Sequence, residues 1–249
     1  MNSSYENLAS IYDKLITEDI DYDKISSYIL KAADRNGTKK NKYLDIACGT
    51  GIVLEKLYKF FHEVKAVDYS LEMLSEAELK FRGEKNIRFI SQNMVDLNLC
   101  EKFDVITCVL DAVNYILENN DIKKFFARVY DHLEDDGIFV FDINSYYKLS
   151  EVLGNNIYTY DTEELFYCWE NEFEADILNM YLTFFIKEGE CYKRFQEEHI
   201  ERAYKEEFIE EIIKDAGFKI LAKNEDYNDD ILSNTNSERI VYTLKRGEN

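Results

Sequence analysis

The chain contains no proline in 249 residues, where average usage of about 5% would give roughly a dozen. Any motif that needs the proline ring is therefore excluded. Lysine and arginine (30) are outnumbered by aspartate and glutamate (50), leaving a formal charge of −20. Such a field repels phosphate backbones and anionic lipid, so neither nucleic acid nor membrane is an expected partner. Histidine is scarce: His62, His132 and His199 stand far apart and form no His-x-x-x-His. The cysteines, Cys48, Cys100, Cys108, Cys168 and Cys191, form no Cys-x-x-Cys. No metal site is expected from such a set, and scattered thiols in odd number fit a reducing, cytoplasmic setting. No apolar run approaches the roughly 18–20 residues of a membrane span, and Met1 to Ser10 has neither the basic start nor the apolar stretch of a secretion signal.

What is present is a folding composition. Hydrophobic residues make up 46% and aromatics 14%, too rich for a disordered chain. The length fits one domain carrying an elaboration, able to bury about 70–75% of its extended-chain surface without disulfides or metals. From Lys42 to Ser145 short apolar runs alternate with amphipathic stretches. The strand candidates are Lys42–Ala47, Glu63–Asp68, Ile87–Gln92, Phe103–Leu110 and Gly137–Ile143, several of them continuous enough for strands covered on both faces. Between them, Leu54, Leu57, Tyr58 and Phe61 follow helical spacing. So do Ile122, Phe125, Phe126, Val129 and Leu133, with Gly137 ending that segment soon after. Ser70 reads as the N-cap of a helix carrying Leu71, Leu74 and Ala77. Alternation of this kind predicts a parallel sheet with right-handed crossovers.

The flanks differ. Ile25, Tyr28, Ile29 and Ala32 make a helix face before the first strand, and Tyr5 and Tyr12 sit on a shorter segment that could fold over a ligand. Residues 156–204 lack a crossover helix and read as antiparallel strands, including Leu165–Trp169, Met180–Ile186 and Tyr192–Gln196. A helix with Phe208, Ile209, Ile212 and Ile213 on one face follows, stopped by Gly217. Phe218–Lys223 and Arg239–Leu244 then read as closing strands, with the acidic stretch Asn224–Asp230 between them as a solvated turn.

The most informative segment is Leu44-Asp45-Ile46-Ala47-Cys48-Gly49-Thr50-Gly51-Ile52-Val53-Leu54. A strand ends in an acid, passes through a Gly-x-Gly turn and enters a helix whose first N–H groups are unpaired. Gly49 and Gly51 permit φ > 0 and close approach of a ligand to the backbone. Dinucleotide binders want a third glycine for helix–strand packing, and Leu54 stands there instead. A phosphate-binding loop needs Gly-Lys-Ser/Thr, which is absent. The third class of ligand, S-adenosylmethionine, has no diphosphate and carries a cationic ammonium and sulfonium, for which an acid at the strand end makes physical sense. Asp68 ends the next strand, 23 residues on, near the roughly 20-residue offset of a ribose-binding carboxylate. Either acid alone could instead be a helix N-cap, but both together, flanking this loop, favour the ligand reading.

From about Tyr5 to Ser145 the chain resembles the class I S-adenosylmethionine-dependent methyltransferases. Asp45-Ile46-Ala47-Cys48-Gly49-Thr50-Gly51 is similar to their first motif, Val67-Asp68-Tyr69-Ser70 to their second, and Phe103-Asp104-Val105-Ile106 to their fourth-strand motif. Ala47 departs from the glycine many members carry. The resemblance implies an α/β fold, a doubly wound, mostly parallel seven-stranded Rossmann-like sheet, with a small antiparallel β insertion after the fifth strand. Residues 1–36 would form a helical lid, 37–150 and 205–249 the cofactor domain, and 151–204 a cap over the acceptor pocket. Asp45, Ala47 and Gly49, with Cys48 and Gly51 in the same turn, would hold the methionine part. Asp68 would bind the ribose, with Tyr69 and Met73 flanking the adenine, and Asn93 and Met94 beside it. Cys108 to Asp111, Leu110 included, would pass the methionine tail. Tyr12, joined by Tyr22, resembles a lid tyrosine.

For catalysis the candidates are Tyr12, Tyr115 and His199. Tyr115 stands where some relatives carry a histidine. His199, within Glu198-His199-Ile200-Glu201-Arg202, reads either as a general base or as a surface histidine paired to neighbouring glutamates. Asp111, Asn114, Asn144, Tyr146 and Trp169 are candidate acceptor-lining residues. The expected reaction is methyl transfer to nitrogen or oxygen of a small molecule, possible amines included, by a monomer or homodimer without a metal. A protein or RNA methyltransferase and a non-catalytic S-adenosylmethionine-binding protein are the alternatives. The missing proline rules out the Pro-Pro and Pro-Cys motifs of many nucleic-acid base methylases.

Overall fold

A computed structural model describes residues 20–229 and 236–247. Tyr12, Tyr5 and the rest of the expected N-terminal lid before residue 20 lie outside them. The first described helix, α1 (Tyr22–Arg35), is capped by Asp21, whose carboxylate accepts from the Lys24 amide at 2.9 Å. Its buried face carries Tyr22, Ile25, Tyr28, Ile29 and Ala32. Strand β1 (Lys42–Ile46), α2 (Ile52–Leu57), β2 (Glu63–Asp68), α3 (Leu71–Lys80) and β3 (Ile87–Ser91) follow, and Ser70 caps α3 as its side chain accepts from the Met73 amide at 3.2 Å. Then come β4 (Phe103–Cys108), α4 (Asn119–His132) and β5 (Leu133–Asn144). Leu133 opens β5 rather than closing α4, so the helix is one residue shorter than its apolar spacing suggests.

After a helical segment at Lys148–Leu153 the chain forms four strands, β6 (Ile157–Asp161), β7 (Leu165–Glu174), β8 (Ile177–Glu188) and β9 (Cys191–Arg202). Helix α5 (Glu206–Asp215), β10 (Phe218–Glu225) and β11 (Arg239–Arg246) complete the described chain. The first sheet has seven strands in the order β10-β11-β5-β4-β1-β2-β3, with β11 alone antiparallel to its neighbours. Its two faces are separately filled. Leu44, Ile46, Ile106, Phe139 and Phe141 pack under α4 and α5, whereas Tyr43, Val64, Val105 and Val140 pack under α1 and α2. Because the chain winds one way from β1 and the other way from β4, the crevice between the carboxyl ends of these adjacent strands is the switch point where such sheets bind ligands.

The second sheet is antiparallel, β6-β7-β8-β9. Strand periodicity puts Glu197, His199 and Glu201 of β9 on one buried face while Glu198 and Ile200 are exposed. This sheet is fastened to the first by Asn114, whose amide donates to the carbonyls of Asn144 (3.2 Å) and Arg202 (2.9 Å) and whose oxygen accepts from the Asn144 amide (2.9 Å). Arg202 adds a bond to the Leu117 carbonyl at 2.6 Å.

The stretch after β10 is not a simple solvated turn. Asn224 is buried in β10 and accepts from the Tyr28 hydroxyl at 2.9 Å, and Tyr227 is buried against α1. Acidic neighbours masked two side chains that pack inward.

Candidate functional site

Asp45 comes one residue before the end of β1 and is 1% exposed. One carboxylate oxygen accepts from the Thr107 hydroxyl of β4 at 2.7 Å, and that hydroxyl also meets the Tyr43 hydroxyl at 2.7 Å. The other oxygen, Oδ2, is buried and has no hydrogen-bond partner among the described residues. Burial pushes the Asp45 carboxyl up to about 7, against the opposing pull of the Thr107 and Tyr43 hydroxyls. A buried carboxylate oxygen without a donor is costly, and a cationic ligand would satisfy it.

The turn beyond it is built from left-handed residues, Ala47 (φ 56°), Gly49 (φ 55°) and Gly51 (φ 78°). Alanine tolerates this conformation at a cost of about 1–2 kcal/mol. A Cβ on Gly49 would meet nothing within 4 Å, so the space above it is open, whereas one on Gly51 would lie 2.8 Å from the Phe81 ring. The Asp68 carboxylate closes the turn, accepting from the Gly49 amide at 2.8 Å and the Ser70 amide at 2.8 Å. The helix cap is Ser70 and not Asp68, and each Asp68 oxygen retains a further lone pair for an incoming hydroxyl. Asp68 is also raised by burial, with the Ser70, Gly49 and Tyr69 amides opposing.

The remaining cofactor candidates divide. Cys48, Leu110 and Asp111 are partly buried around the same crevice, and Cys108 is fully buried at the end of β4. Tyr69 is exposed, whereas Met73 is buried within α3 and presents little surface. The Asn93 amide oxygen accepts from the Val95 amide at 2.9 Å, capping the short turn that holds Met94. Tyr22 is buried on α1.

Across the crevice, Tyr115 and His199 meet. The Tyr115 hydroxyl lies 3.1 Å from His199 Nδ1, with the rings edge-on at 6.0 Å. His199 is 6% exposed, so the surface reading is overturned. Burial drives it down to about 4, with Asp111 pulling weakly upward, so it is neutral near pH 7. Glu201, two residues along the same face, accepts from the Asn144 amide at 2.9 Å. Burial and the Asp111 carboxylate raise it to about 8, while Asn144, Lys148 and Arg239 lower it. The period-two spacing of Glu197, His199 and Glu201 was the available signal for Glu201, had the strand read at Tyr192–Gln196 been carried on to Arg202.

Asn114 and Tyr146 are otherwise engaged, Asn114 with the backbone bonds above and Tyr146 with the Asp176 carboxylate at 2.7 Å. Trp169 packs with Leu182 and Phe173 over Leu149 and Leu153, and its ring lies 5.8 Å from that of Tyr158. Packing is therefore its visible role.

The family profile described as a methyltransferase domain matches residues 44–137. The crystal structure of an S-adenosylmethionine-dependent methyltransferase from Clostridium acetobutylicum ATCC 824 is 51% identical, covering 98% of this chain and 99% of that one, with a TM-score of 0.92. A protein of Geobacillus sp. strain WCH70, provisionally named a methyltransferase, is 34% identical over 255 residues, covering 98% of this chain and all of the relative. The sugar N-methyltransferase KedS8 from Streptoalloteichus sp. ATCC 53650 shares the fold, with a TM-score of 0.78 at 18% identity over 95% of this chain and 93% of that one.

Proposed function

The chain belongs to the class I S-adenosylmethionine-dependent methyltransferases, and from that premise we propose that it methylates a nitrogen or oxygen atom of a small molecule, with an amine favoured. The observation that carries the cofactor site is the unpartnered, buried Oδ2 of Asp45, set at the head of a turn with open space over Gly49. An α-ammonium would satisfy that oxygen, and the amides and carboxylate around Asp68 suit ribose hydroxyls. Asp45, Ala47, Cys48, Gly49, Gly51 and residues 108–111 would hold the methionine part, with Asp68, Tyr69, Asn93 and Met94 around the nucleoside.

When bound, the cofactor supplies an electrophilic methyl on sulfur, and the protein's task is alignment, exclusion of water and management of one proton. The acceptor would lie under the second sheet, against Tyr115, His199 and Glu201. Neutral His199 Nδ1 can accept a hydrogen bond from Tyr115, and so fixes which way that hydroxyl presents its lone pairs. Glu201, raised to about 8, is mostly protonated near neutral pH, and a cationic acceptor beside it would lower that value and leave the carboxylate that takes the ammonium's proton, whereas His199, held near 4, is too weak a base. A cationic acceptor would favour ionisation of the buried Glu201, and an anionic one would oppose it. Support for a small acceptor also comes from the chain's charge of −20, which opposes RNA. The sugar acceptor named for KedS8 is one compatible size class.

The test is transfer of labelled methyl from S-adenosylmethionine into cell extract separated into metabolite, protein and RNA fractions. Label in the metabolite fraction, reduced at least tenfold by Glu201→Gln, is expected. Label confined to protein or RNA would contradict the proposal.

A further inference from the structure

The turn leaving β4 carries two consecutive non-glycine residues in the left-handed region, Leu110 (φ 61°) and Asp111 (φ 55°). Strain of this kind persists only where the surroundings over-determine it. Here the determinant is one side chain. Asp142 of β5 is fully buried, and its two oxygens accept from the Leu110 amide at 2.7 Å and the Asp111 amide at 2.7 Å.

The same carboxylate is gripped from the other side. It accepts from the Tyr227 hydroxyl, in the stretch following β10, and from the Arg239 guanidinium, at the start of β11. A second guanidinium nitrogen of Arg239 donates to the Asp111 side chain at 2.7 Å. One arginine therefore pairs with two carboxylates, and two segments far along the chain converge on the crevice turn. Arg239 is held charged by Asp142 and Asp111 despite its burial, and burial pushes the Tyr227 hydroxyl well up, so it stays a donor. The antiparallel register of β11 on β5, with Arg239 opposite Asn144 and Val241 opposite Asp142, puts the guanidinium within reach.

We infer that Asp142, braced by Arg239 and Tyr227, is a positioning residue that sets the Leu110–Asp111 turn against the methionine part of the cofactor. This rests on the reading that residues 108–111 pass that part of the molecule. With four donors already around its carboxylate, Asp142 acts through the turn and not by touching the ligand. The clamp grips one end of the cofactor site only, since the nucleoside end would be built from Asp68 at the end of β2, Tyr69 just after it and Asn93 after β3.

That asymmetry gives the test. Dissociation constants are measured by calorimetry for S-adenosylhomocysteine, which carries the amino-acid tail, and for 5′-methylthioadenosine, which lacks it. Asp142→Asn replaces one acceptor oxygen with an amide nitrogen that cannot serve both an N–H and the guanidinium. It is expected to weaken S-adenosylhomocysteine at least tenfold while leaving 5′-methylthioadenosine within about twofold. Should that variant fail to fold, Arg239→Lys keeps the charge and loses the fork bridging the two carboxylates, with at least a threefold loss expected for the same probe alone. Equal weakening of both probes would mean a merely structural role, and unchanged S-adenosylhomocysteine affinity would likewise overturn the inference. A wild-type chain that bound neither probe would instead bring down the cofactor reading on which it stands.

Discussion

His199 is kept neutral by its surroundings, and this has a measurable price in acid. Its folded-state value of about 4 lies below the ordinary 6.5, so between these values the unfolded chain binds more protons than the folded one. Stability from this residue is therefore fully present above pH 6.5 and lost as pH falls toward 4, by about 3 kcal/mol in total. Asp45 and Glu201, both raised, slope the other way, which makes the whole-protein curve uninformative by itself. The difference between wild type and His199→Gln isolates the residue: urea melts from pH 7 to 4 should show the variant gaining on wild type as pH falls. A constant difference would mean that His199 titrates normally. At this scale the strand-end place of Asp45 and the turn at Gly49 and Gly51 were legible, because an acid before a Gly-x-Gly turn is a local pattern. Asp142 was not. It stands in the apolar run Ile138–Ile143, and only the fold reveals which distant donors meet it.

The turn between β1 and α2 depends on its two glycines for different reasons. At Gly51 an added methyl collides with Phe81 at the end of α3 and also demands an unfavourable φ. At Gly49 only the backbone cost applies, because its Cβ would project into open space. Gly51→Ala should therefore destabilise the fold by about 2–4 kcal/mol, and Gly49→Ala by about 1–2 kcal/mol. Ligand affinity should rank the other way, with Gly49→Ala losing S-adenosylhomocysteine binding out of proportion to its stability. Thermal melts paired with ligand titrations check the crossing; equal rankings would place the ligand elsewhere. Elements of the parallel sheet were readable because buried strands leave continuous apolar runs. The second sheet was read in outline, but β7, β8 and β9 extend well beyond the predicted Leu165–Trp169, Met180–Ile186 and Tyr192–Gln196. Their outer faces carry Glu, Asn and Arg, which dilutes any apolar signal. Asn224 and Tyr227 were misread for the same reason, since sequence shows acidity but not the packing of α1 beside them.

Taken as one molecule, the chain is a doubly wound sheet joined to an antiparallel sheet, and the join between them is polar. Asn114, Asn144, Arg202 and Glu201 tie the end of β9 to the ends of β4 and β5, so the wall that would face an acceptor is fixed to the strands that would hold the cofactor. None of that join was legible in sequence, because each bond spans tens of residues. The central claim is that Asp45 awaits a cationic group of the cofactor. Such a group would lower its value from about 7, and so binding near pH 6.5 must expel a proton. The direct measurement is calorimetric titration of the wild-type chain with S-adenosylhomocysteine at pH 6.5 in two buffers of different ionisation enthalpy. One molecule should bind per chain, with release of roughly half a proton or more that disappears in Asp45→Asn. Absence of binding, or binding with no proton released, would contradict the account.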